Sequence, residues 1–334
     1  MEFKLSEEHK AVQQAAREFA ITRLQDGVIE RDTNRTHPSE QVEEMGALGF
    51  MGIMTSQLYG GSEMDTLSYV LALEEISKID ASAGVIMSAH NSLVLWAIET
   101  YGTDIQKEKY LVPMAQGNNI GCFCLSEPEA GSDASMQQTR AEEAGEYYIL
   151  NGVKNWITNG GHADFQLVIA QTHPEKKHRG INAFIVEKEW EGVAIGPKED
   201  KLGIRSSDTH SISYTDVKVP KENRIGEDGF GFKLAMQILE GGRIGIAAQA
   251  LGIAAGAYEL AAEYSTVRSA FGKPIADHQA IAFKLADMAV DIEAARMLVY
   301  RSAYLKDQGQ PYGYASAMAK LKASEVAMKH TVEA

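Results

Sequence analysis

The chain has 334 residues, of which 45% are hydrophobic and 23% are charged, a composition typical of a globular protein with roughly two or three domains. Its formal net charge of -14 repels a phosphate backbone, and the sequence has no evident basic patch, so we exclude nucleic acid as the main partner. No uninterrupted apolar run approaches the roughly 20 residues that span a bilayer, so we expect no membrane span.

The N-terminal residues and the two cysteines give information about the cellular compartment of the protein. Residues Met1 to Glu8 lack the basic region and apolar stretch of a secretory signal. We therefore expect a cytoplasmic protein, or one of the mitochondrial matrix if a transit peptide was removed. Cys122 and Cys124 are two apart in a predicted strand, so their side chains point the same way and we predict no disulfide.

Residues 1–117 have a helical pattern and form a predicted N-terminal helical domain. Ser6 is a predicted N-cap, with Glu7 and Glu8 in the first turn. The apolar face of this first helix carries Val12, Ala16, Phe19 and Ala20. A later helix carries Leu67, Val70, Leu71 and Ile76.

Residues 118–227 change to β-rich runs and form a predicted middle, mostly antiparallel β domain. The predicted strands are Tyr147–Leu150, Val153–Thr158, Phe165–Ala170, Ile181–Val186 and Ser211–Val219. Both residues of the pair Asn151-Gly152 tolerate positive φ. The pair therefore predicts a two-residue hairpin turn between the first two strands.

Residues 228–334 are helical again and form a predicted up-and-down bundle, the last part of an α+β multidomain fold. The three predicted segments are Phe230–Val267, Pro274–Asp307 and Tyr314 to the end. Pro274 suits the first turn of a helix, and Gly309 and Pro311 separate the last two segments.

Two motifs in the β domain carry candidate chemistry. The stretch Phe123 to Asp133 begins as a strand and breaks at Pro128 into a turn of small and hydroxyl residues, whose N–H groups could hold a phosphate or a ring edge. The stretch Trp156 to Gly161 places an aromatic plate, a hydroxyl and a glycine turn in succession. A plain strand-ending turn and a buried core tryptophan are the alternatives.

In this order and at this separation, the two motifs resemble the flavin-binding signatures of the acyl-CoA dehydrogenase family. The resemblance runs from Leu5 to the last residue and includes Lys198–Arg205, Glu240–Gly245 and Arg268–Lys273. The run Val85–Leu93 is most similar to the short-chain, butyryl-type branch. The resemblance implies FAD, a homotetramer, and oxidation of a short-chain acyl-CoA to a trans-2-enoyl-CoA in fatty acid β-oxidation. Electrons would pass to an electron-transferring flavoprotein.

The resemblance also implies site residues. Those expected at the flavin of the same subunit are Phe123, Cys124, Leu125, Ser126, Gly131, Ser132, Trp156, Ile157 and Thr158, with Thr158 near the nitrogen that receives hydride. Those expected at the FAD of a neighbouring subunit are Arg268, Phe271 and Gln279. A guanidinium fork such as that of Arg268 suits a pyrophosphate, although a solvated helix-end charge is the alternative.

Ser132, Glu240 and Arg243 are the residues expected at the substrate. Short-chain members usually have Asp where this chain has Glu240, and an ordinary ion pair between residues three apart on a helix is the alternative. We predict no metal site, because His90, His278 and His330 are isolated and no His-x-x-x-His or Cys-x-x-Cys spacing occurs.

The general base is the remaining expectation. In most members a glutamate lies in a Tyr-Glu-Gly-Thr-like motif after a Gly-Gly loop, and this sequence stops at Ala334 before either. A minority branch has its base immediately before the arginine that matches Arg243, where this chain has Gly242. Glu240 is rotated from that position by about 200° around a helix. We therefore name no catalytic base and expect it C-terminal to Ala334. A related flavoprotein oxidase and a base-less acyl-CoA or flavin binding module stay open as alternatives.

Overall fold

The structure is a computed structural model and describes residues 4–334. The helices that precede the sheet are α1 (Glu7–Phe19), α2 (Val28–Asn34), α3 (Ser39–Ala47), α4 (Thr66–Ile79), α5 (Ala81–Ser88), α6 (Trp96–Tyr101), α7 (Asp104–Gln106) and α8 (Val112–Ala115). Short π-helical segments extend this set at Ala20–Leu24, Ala89–Leu95 and Lys107–Leu111.

The strands of the main sheet follow. They are β1 (Gly121–Cys124), β2 (Arg140–Ala144), β3 (Tyr147–Thr158), β4 (Phe165–Gln171), β5 (Ile181–Glu187), β6 (Val193–Lys198), β7 (Thr209–Pro220) and β8 (Arg224–Ile225). The last elements are α9 (Gly231–Val267), the hairpin strands β9 (Ser269–Ala270) and β10 (Lys273–Pro274), α10 (Gln279–Asp307) and α11 (Gly313–Glu333). The predicted order of helices, strands and helices is confirmed.

The main sheet is mixed, with mostly antiparallel pairs. Its strands lie in the order β6-β7-β3-β2-β4-β5-β8, and β1 pairs with β4. The β1–β4 and β2–β4 pairs are parallel, while the other five pairs are antiparallel. The mostly antiparallel middle domain predicted from the sequence is therefore confirmed.

The hairpin predicted at Asn151-Gly152 is wrong. β3 runs without a turn through both residues, and the two-residue turn lies earlier, at Gly145 and Glu146, where Ala144 pairs with Tyr147. Gly152 has a φ of 149°. A Cβ there would lie 2.5 Å from Oγ1 of Thr139, so the glycine is required by the close approach of a loop.

The described chain divides into two compact units, which we call the sheet unit (residues 29–64 and 86–242) and the helical unit (residues 4–28, 65–85 and 243–334). In the sheet unit, β4 is buried on both faces. Leu167 and Ile169 pack into one apolar cluster with helical residues such as Leu234, while Val168 and Ala170 pack into a second cluster on the opposite face. A strand buried on both faces is apolar at every position, which explains the continuous apolar run.

The helical unit is held by two carboxylates, a buried one on α4 and another at the end of α10, as well as by apolar packing. Glu74 is 2.9 Å from a guanidinium nitrogen of Arg296 and accepts a hydrogen bond from the Tyr300 hydroxyl. Asp307, at the end of α10, accepts hydrogen bonds from the backbone N–H groups of Thr66 and Leu67. It thereby caps the first turn of α4 from a distant part of the sequence.

The predicted helical role of Pro274 is wrong. Pro274 lies in β10 with extended backbone angles, and α10 begins five residues later at Gln279. Lys273 and Pro274 pair with Ala270 and Ser269 in a short hairpin. Pro274, which the local pattern predicts in the first turn of a helix, therefore belongs to a β-hairpin instead.

Two helical stretches, Ala81–Tyr101 and Gly231–Val267, have the length and mean hydropathy of membrane spans. Neither is an uninterrupted apolar run, since the first contains Glu99 and the second contains Lys233 and Arg243. Their most apolar windows are 83% and 61% buried in the protein. Buried core helices of soluble proteins have the same signature, so the two stretches are weak support for a membrane span.

Candidate active site

The two motifs singled out in the sequence lie side by side. The backbone N–H of Asn155 donates to the carbonyl of Ser126 at 2.8 Å, and the Lys154 ammonium donates to the carbonyl of Leu125 at 3.1 Å. These bonds fix the path of the chain as it leaves β1. The turn then becomes exposed at Gly131 and Ser132, whose backbone N–H groups donate to nothing within the described residues.

A buried ion pair joins the motifs more firmly. Nζ of Lys154 lies 2.7 Å from Oε1 of Glu127, and the two side chains are 0% and 2% exposed. The ammonium also donates to the side-chain oxygen of Gln137. Glu127 in turn accepts the backbone N–H groups of Gln138 and Thr139. Every hydrogen of this ammonium therefore has an acceptor, which is what a buried charge requires.

The pair stays ionised at neutral pH. Burial lowers the pKa of Lys154 to about 8, with partial compensation from Glu127. Burial also raises the pKa of Glu127, but the charge and hydrogen bond of Lys154, together with hydrogen bonds from Gln138 and Thr139, outweigh it, so the pKa of the carboxyl is below its usual value. Two ionised groups at this spacing pin the turn after β1 to β3.

Trp156 is an exposed aromatic side chain in the candidate site. The pairing of β3 with β7 shifts register between Lys154 and Ile157, so Asn155 and Trp156 form a β-bulge. Trp156 has a φ of 62° and is 63% exposed. A left-handed backbone is costly for a bulky residue, and such strain concentrates at functional sites. The alternative of a buried core tryptophan is wrong.

The other residues expected at the flavin fall into two groups. Cys124, Leu125 and Ile157 have buried side chains in the apolar clusters. Phe123, Ser126 and Thr158 are half-buried and present part of their side chains. The structure therefore places the nine expected residues along β1, the turn that follows it and the bulged end of β3.

Arg268, Phe271 and Gln279 lie in the helical unit, at and beside the β9–β10 hairpin. Phe271 is 97% exposed at the tip, where it and Gly272 have φ values of 53° and 79°. These values are those of a two-residue hairpin turn. Arg268 and Gln279 are also exposed. An exposed aromatic residue beside an exposed arginine is typical of a surface that contacts another molecule.

Glu240 and Arg243 both lie on α9, half-buried and exposed respectively. Neither side chain takes part in an ion pair within residues 4–334, so the ordinary ion pair is not what the structure has. Gly242 packs closely against Leu93, and a Cβ there would lie 2.7 Å from Cδ2 of that leucine. The close contact requires a glycine or a shift of the leucine at this position.

Sequence reasoning gave no role to Lys154 or Glu127. The signal was present in the alternation of β3, since Tyr148 and Leu150 are buried and Lys154 has the same parity. A lysine on the buried face of a strand requires a buried partner. Local pattern could not predict that Glu127 is the partner of Lys154, because Glu127 lies on a turn outside β3.

The chain thus combines helices, a mostly antiparallel sheet and helices again, with an exposed indole at the end of one strand. Family models match the chain as acyl-CoA dehydrogenase N-terminal domain (residues 6–118), middle domain (residues 122–217) and C-terminal domain (residues 229–334). The chain belongs to the acyl-CoA dehydrogenase family, as the motifs predicted.

Within the family, the chain is similar to short-chain members. It is 49% identical to the short-chain specific acyl-CoA dehydrogenase of Clostridium acetobutylicum over 334 residues, which are 100% of this chain and 88% of that one. It is 47% identical to the mitochondrial short-chain specific enzyme of Mus musculus over 324 residues, which are 97% and 79% of the two chains. The predicted short-chain branch is confirmed.

Solved structures agree with these relatives. The structure of butyryl-CoA dehydrogenase from Megasphaera elsdenii superposes with a TM-score of 0.98 at 47% identity, covering 100% of this chain and 88% of that one. A chain in the structure described as "Electron transferring flavoprotein of Acidaminococcus fermentans: Towards a mechanism of flavin-based electron bifurcation" superposes with a TM-score of 0.98 at 49% identity, with the same coverage.

Proposed function

We propose that the protein is an FAD-dependent dehydrogenase that converts a short-chain acyl-CoA to the trans-2-enoyl-CoA and passes the electrons to an electron-transferring flavoprotein. The observation that carries this function is the exposed indole of Trp156, held in a left-handed conformation and tied through Asn155 to the turn at Ser126. The similarity to short-chain and butyryl-CoA dehydrogenases supports the substrate class.

The residues present fit FAD. The indole of Trp156 offers a flat exposed surface against which an isoalloxazine ring can stack. The N–H groups of Gly131 and Ser132, which have no acceptor among residues 4–334, offer donors to an anionic or polar ring edge. The residues that would hold the cofactor are Phe123, Cys124, Leu125, Ser126, Gly131, Ser132, Trp156, Ile157 and Thr158, with Arg268, Phe271 and Gln279 from a neighbouring subunit.

FAD, when bound, supplies the acceptor for the hydride that leaves the β-carbon. Trp156 would cover the bound ring and exclude water from it. Ser132, Glu240 and Arg243 would bind the acyl-CoA, and the exposed guanidinium of Arg243 suits an anionic CoA group. A base must also take the α-proton, and we assign that role to none of the residues 4–334.

The finer organisation is also a proposal. We divide the chain into an N-terminal helical domain (1–117), a middle β domain (118–227) and a C-terminal helical bundle (228–334), a division that the three family-model matches support. The exposed β9–β10 hairpin supports a homotetramer in which Arg268 serves a neighbour's FAD. The protein would act in the cytoplasm, or in the mitochondrial matrix if a transit peptide was removed.

Flavin binding and reduction test this function. Tag-free protein is expected to purify yellow, and its flavin band is expected to bleach when butyryl-CoA is added without air. Electron-transferring flavoprotein should then restore the band. Peroxide release under air would favour an oxidase instead. Ligand binding without bleaching would favour a binding module.

A variant pair tests the role of Trp156. Trp156→Ala is expected to weaken FAD binding at least about fivefold, since loss of an aromatic contact of this kind costs on the order of 1 kcal/mol or more. Tyr147→Ala is the matched control, because Tyr147 is a 44% exposed aromatic residue at the other end of β3. Equal FAD retention by both variants in equilibrium dialysis would contradict the proposed stacking.

A further inference from the structure

Three side chains from separate segments of the sheet unit converge beside the turn that follows β3. His37 precedes α3, His162 follows β3, and Asp208 precedes β7. Nδ1 of His162 lies 3.4 Å from Oδ1 of Asp208, and Nε2 of His37 lies 3.9 Å from the same oxygen. One potential ligand atom from each residue lies within 4.8 Å of the other two.

Two of these atoms are buried without a hydrogen-bond partner. They are Nε2 of His37 and Oδ1 of Asp208, on side chains that are 4% and 0% exposed. Buried polar groups nearly always have a partner, and a buried carboxylate oxygen without one is especially costly. Their separation of 3.9 Å is too long for a direct hydrogen bond.

The other polar atoms of both side chains are occupied. Nδ1 of His37 lies 2.9 Å from the hydroxyl of Ser39. Oδ2 of Asp208 accepts the backbone N–H of Gly161 and lies 3.4 Å from Nε2 of His210. Outer hydrogen bonds of this kind orient the ligands of protein metal sites, leaving one ring nitrogen and one carboxylate oxygen directed at the ion.

We propose that His37, His162 and Asp208 bind one divalent transition-metal ion, such as Zn²⁺, through Nε2, Nδ1 and Oδ1 respectively. Two imidazoles and a carboxylate are a ligand set that Zn²⁺ and neighbouring metals accept, with a further position left for water. Ligand atoms on a tetrahedral zinc ion are about 3.4 Å apart, given bonds of about 2.1 Å. The 3.4 Å between His162 and Asp208 equals that value, while the 3.9 Å between His37 and Asp208 is somewhat longer.

The surroundings are compatible with an ion at this place. Lys198 and Lys201 interact electrostatically with Asp208, and both are already engaged with backbone carbonyls, Lys198 with that of Arg35 and Lys201 with that of Ser207. The ring of His162 stacks on that of His37, with centroids 3.7 Å apart and an interplanar angle of 11°. It must turn for its lone pair to face the ion. Its side chain is 41% exposed, so part of the ring already faces solvent.

Zn²⁺ titration of the tag-free, full-length chain tests the site. Calorimetry is expected to show one Zn²⁺ per chain, and His162→Ala should weaken this binding at least about tenfold, since it removes one of three protein ligands. His178→Ala is the control, because His178 is an exposed histidine of the same unit outside the cluster. Co²⁺ should give a visible ligand-field band in the control and lose it in His162→Ala.

A stability readout guards against a variant that fails to fold. Zn²⁺ should raise the Tm of the wild type and of His178→Ala, because an ion that binds only the folded state stabilises it, and should leave His162→Ala unchanged. His37→Gln should behave as His162→Ala does. Equal Zn²⁺ affinity in His162→Ala and His178→Ala, or no Zn²⁺ uptake by the wild type, would overturn the proposal.

Discussion

Lys154 and Trp156 are two residues apart on β3, but one side chain is buried and the other is exposed. Lys154 is fully buried and ion-paired with Glu127, while Trp156 stands out from a bulge with a strained backbone. The cost of the strained tryptophan is offset by fixed neighbours on both sides. The buried pair therefore acts as the support of the exposed plate.

Removing one partner of the buried pair tests how much the pair contributes to stability. Lys154→Met is expected to lower the free energy of unfolding by about 3–5 kcal/mol, because it leaves the Glu127 carboxylate buried and unpaired. The double variant Lys154→Met/Glu127→Gln should regain part of that loss. Urea unfolding monitored by fluorescence measures both values.

The surface pair Lys221–Glu143 provides the comparison. Lys221→Met should have a far smaller effect than Lys154→Met, since exposed ion pairs contribute little. If Lys154→Met and Lys221→Met lowered the free energy of unfolding by similar amounts, burial would not explain the contribution of the Lys154–Glu127 pair.

His90 connects three secondary-structure elements: a π-helical segment, a strand and a helix. Its Nε2 lies 3.0 Å from the carbonyl of Met114 in α8, and its Nδ1 accepts the backbone N–H of Gly121 in β1. A carbonyl can only accept, so Nε2 carries the proton and the ring is neutral. Protonating Nδ1 would break the bond to β1.

Stability is therefore expected to depend on the protonation of His90. Burial lowers the pKa of His90 to about 4, from 6.5 in the unfolded chain. Between these values the unfolded chain binds a proton that the folded protein does not, so stability falls as pH falls from about 6.5 to about 4. The contribution is about 3 kcal/mol in all.

The difference between wild type and His90→Gln isolates this histidine. The variant should be less stable at pH 7, and its deficit should shrink as the pH approaches about 4. Urea unfolding across this range measures the deficit at each pH. His178→Gln, which makes the same substitution at an exposed histidine, is the matched control. A constant deficit for His90→Gln would be inconsistent with a neutral, buried His90.

For the whole molecule, the proposed exchange of FAD contacts between subunits predicts complementation. Trp156→Ala removes the plate of a subunit's own site, and Arg268→Ala removes the arginine that it lends to a neighbour. In a mixed oligomer, a site that combines Trp156 of one subunit with Arg268 of another is intact. Co-expression of the two variants with different tags is expected to restore FAD binding in the doubly purified hybrid.

Each variant purified alone is the control and should bind FAD weakly. A hybrid that binds no better than either parent would mean that Arg268 serves the flavin of its own subunit or none. A monomer in light scattering would contradict the homotetramer directly.

Several elements and the family could be predicted from local sequence pattern. Periodicity placed α9, β4, β5 and β7 close to their observed bounds, because the spacing of apolar residues follows the geometry of one helix or strand. The ordered motifs around Ser126 and Trp156 determined the family, since both lie in continuous stretches of chain.

Other features depend on contacts between segments that are distant in the chain. Local pattern predicts a turn at Gly152, whereas the approach of Thr139 is what requires that glycine, and Lys154 gains a role only beside Glu127. His37, His162 and Asp208 have no common spacing that a motif could reveal. Such contacts join residues distant in the chain, and their partners are chosen by packing in three dimensions, which local pattern does not encode.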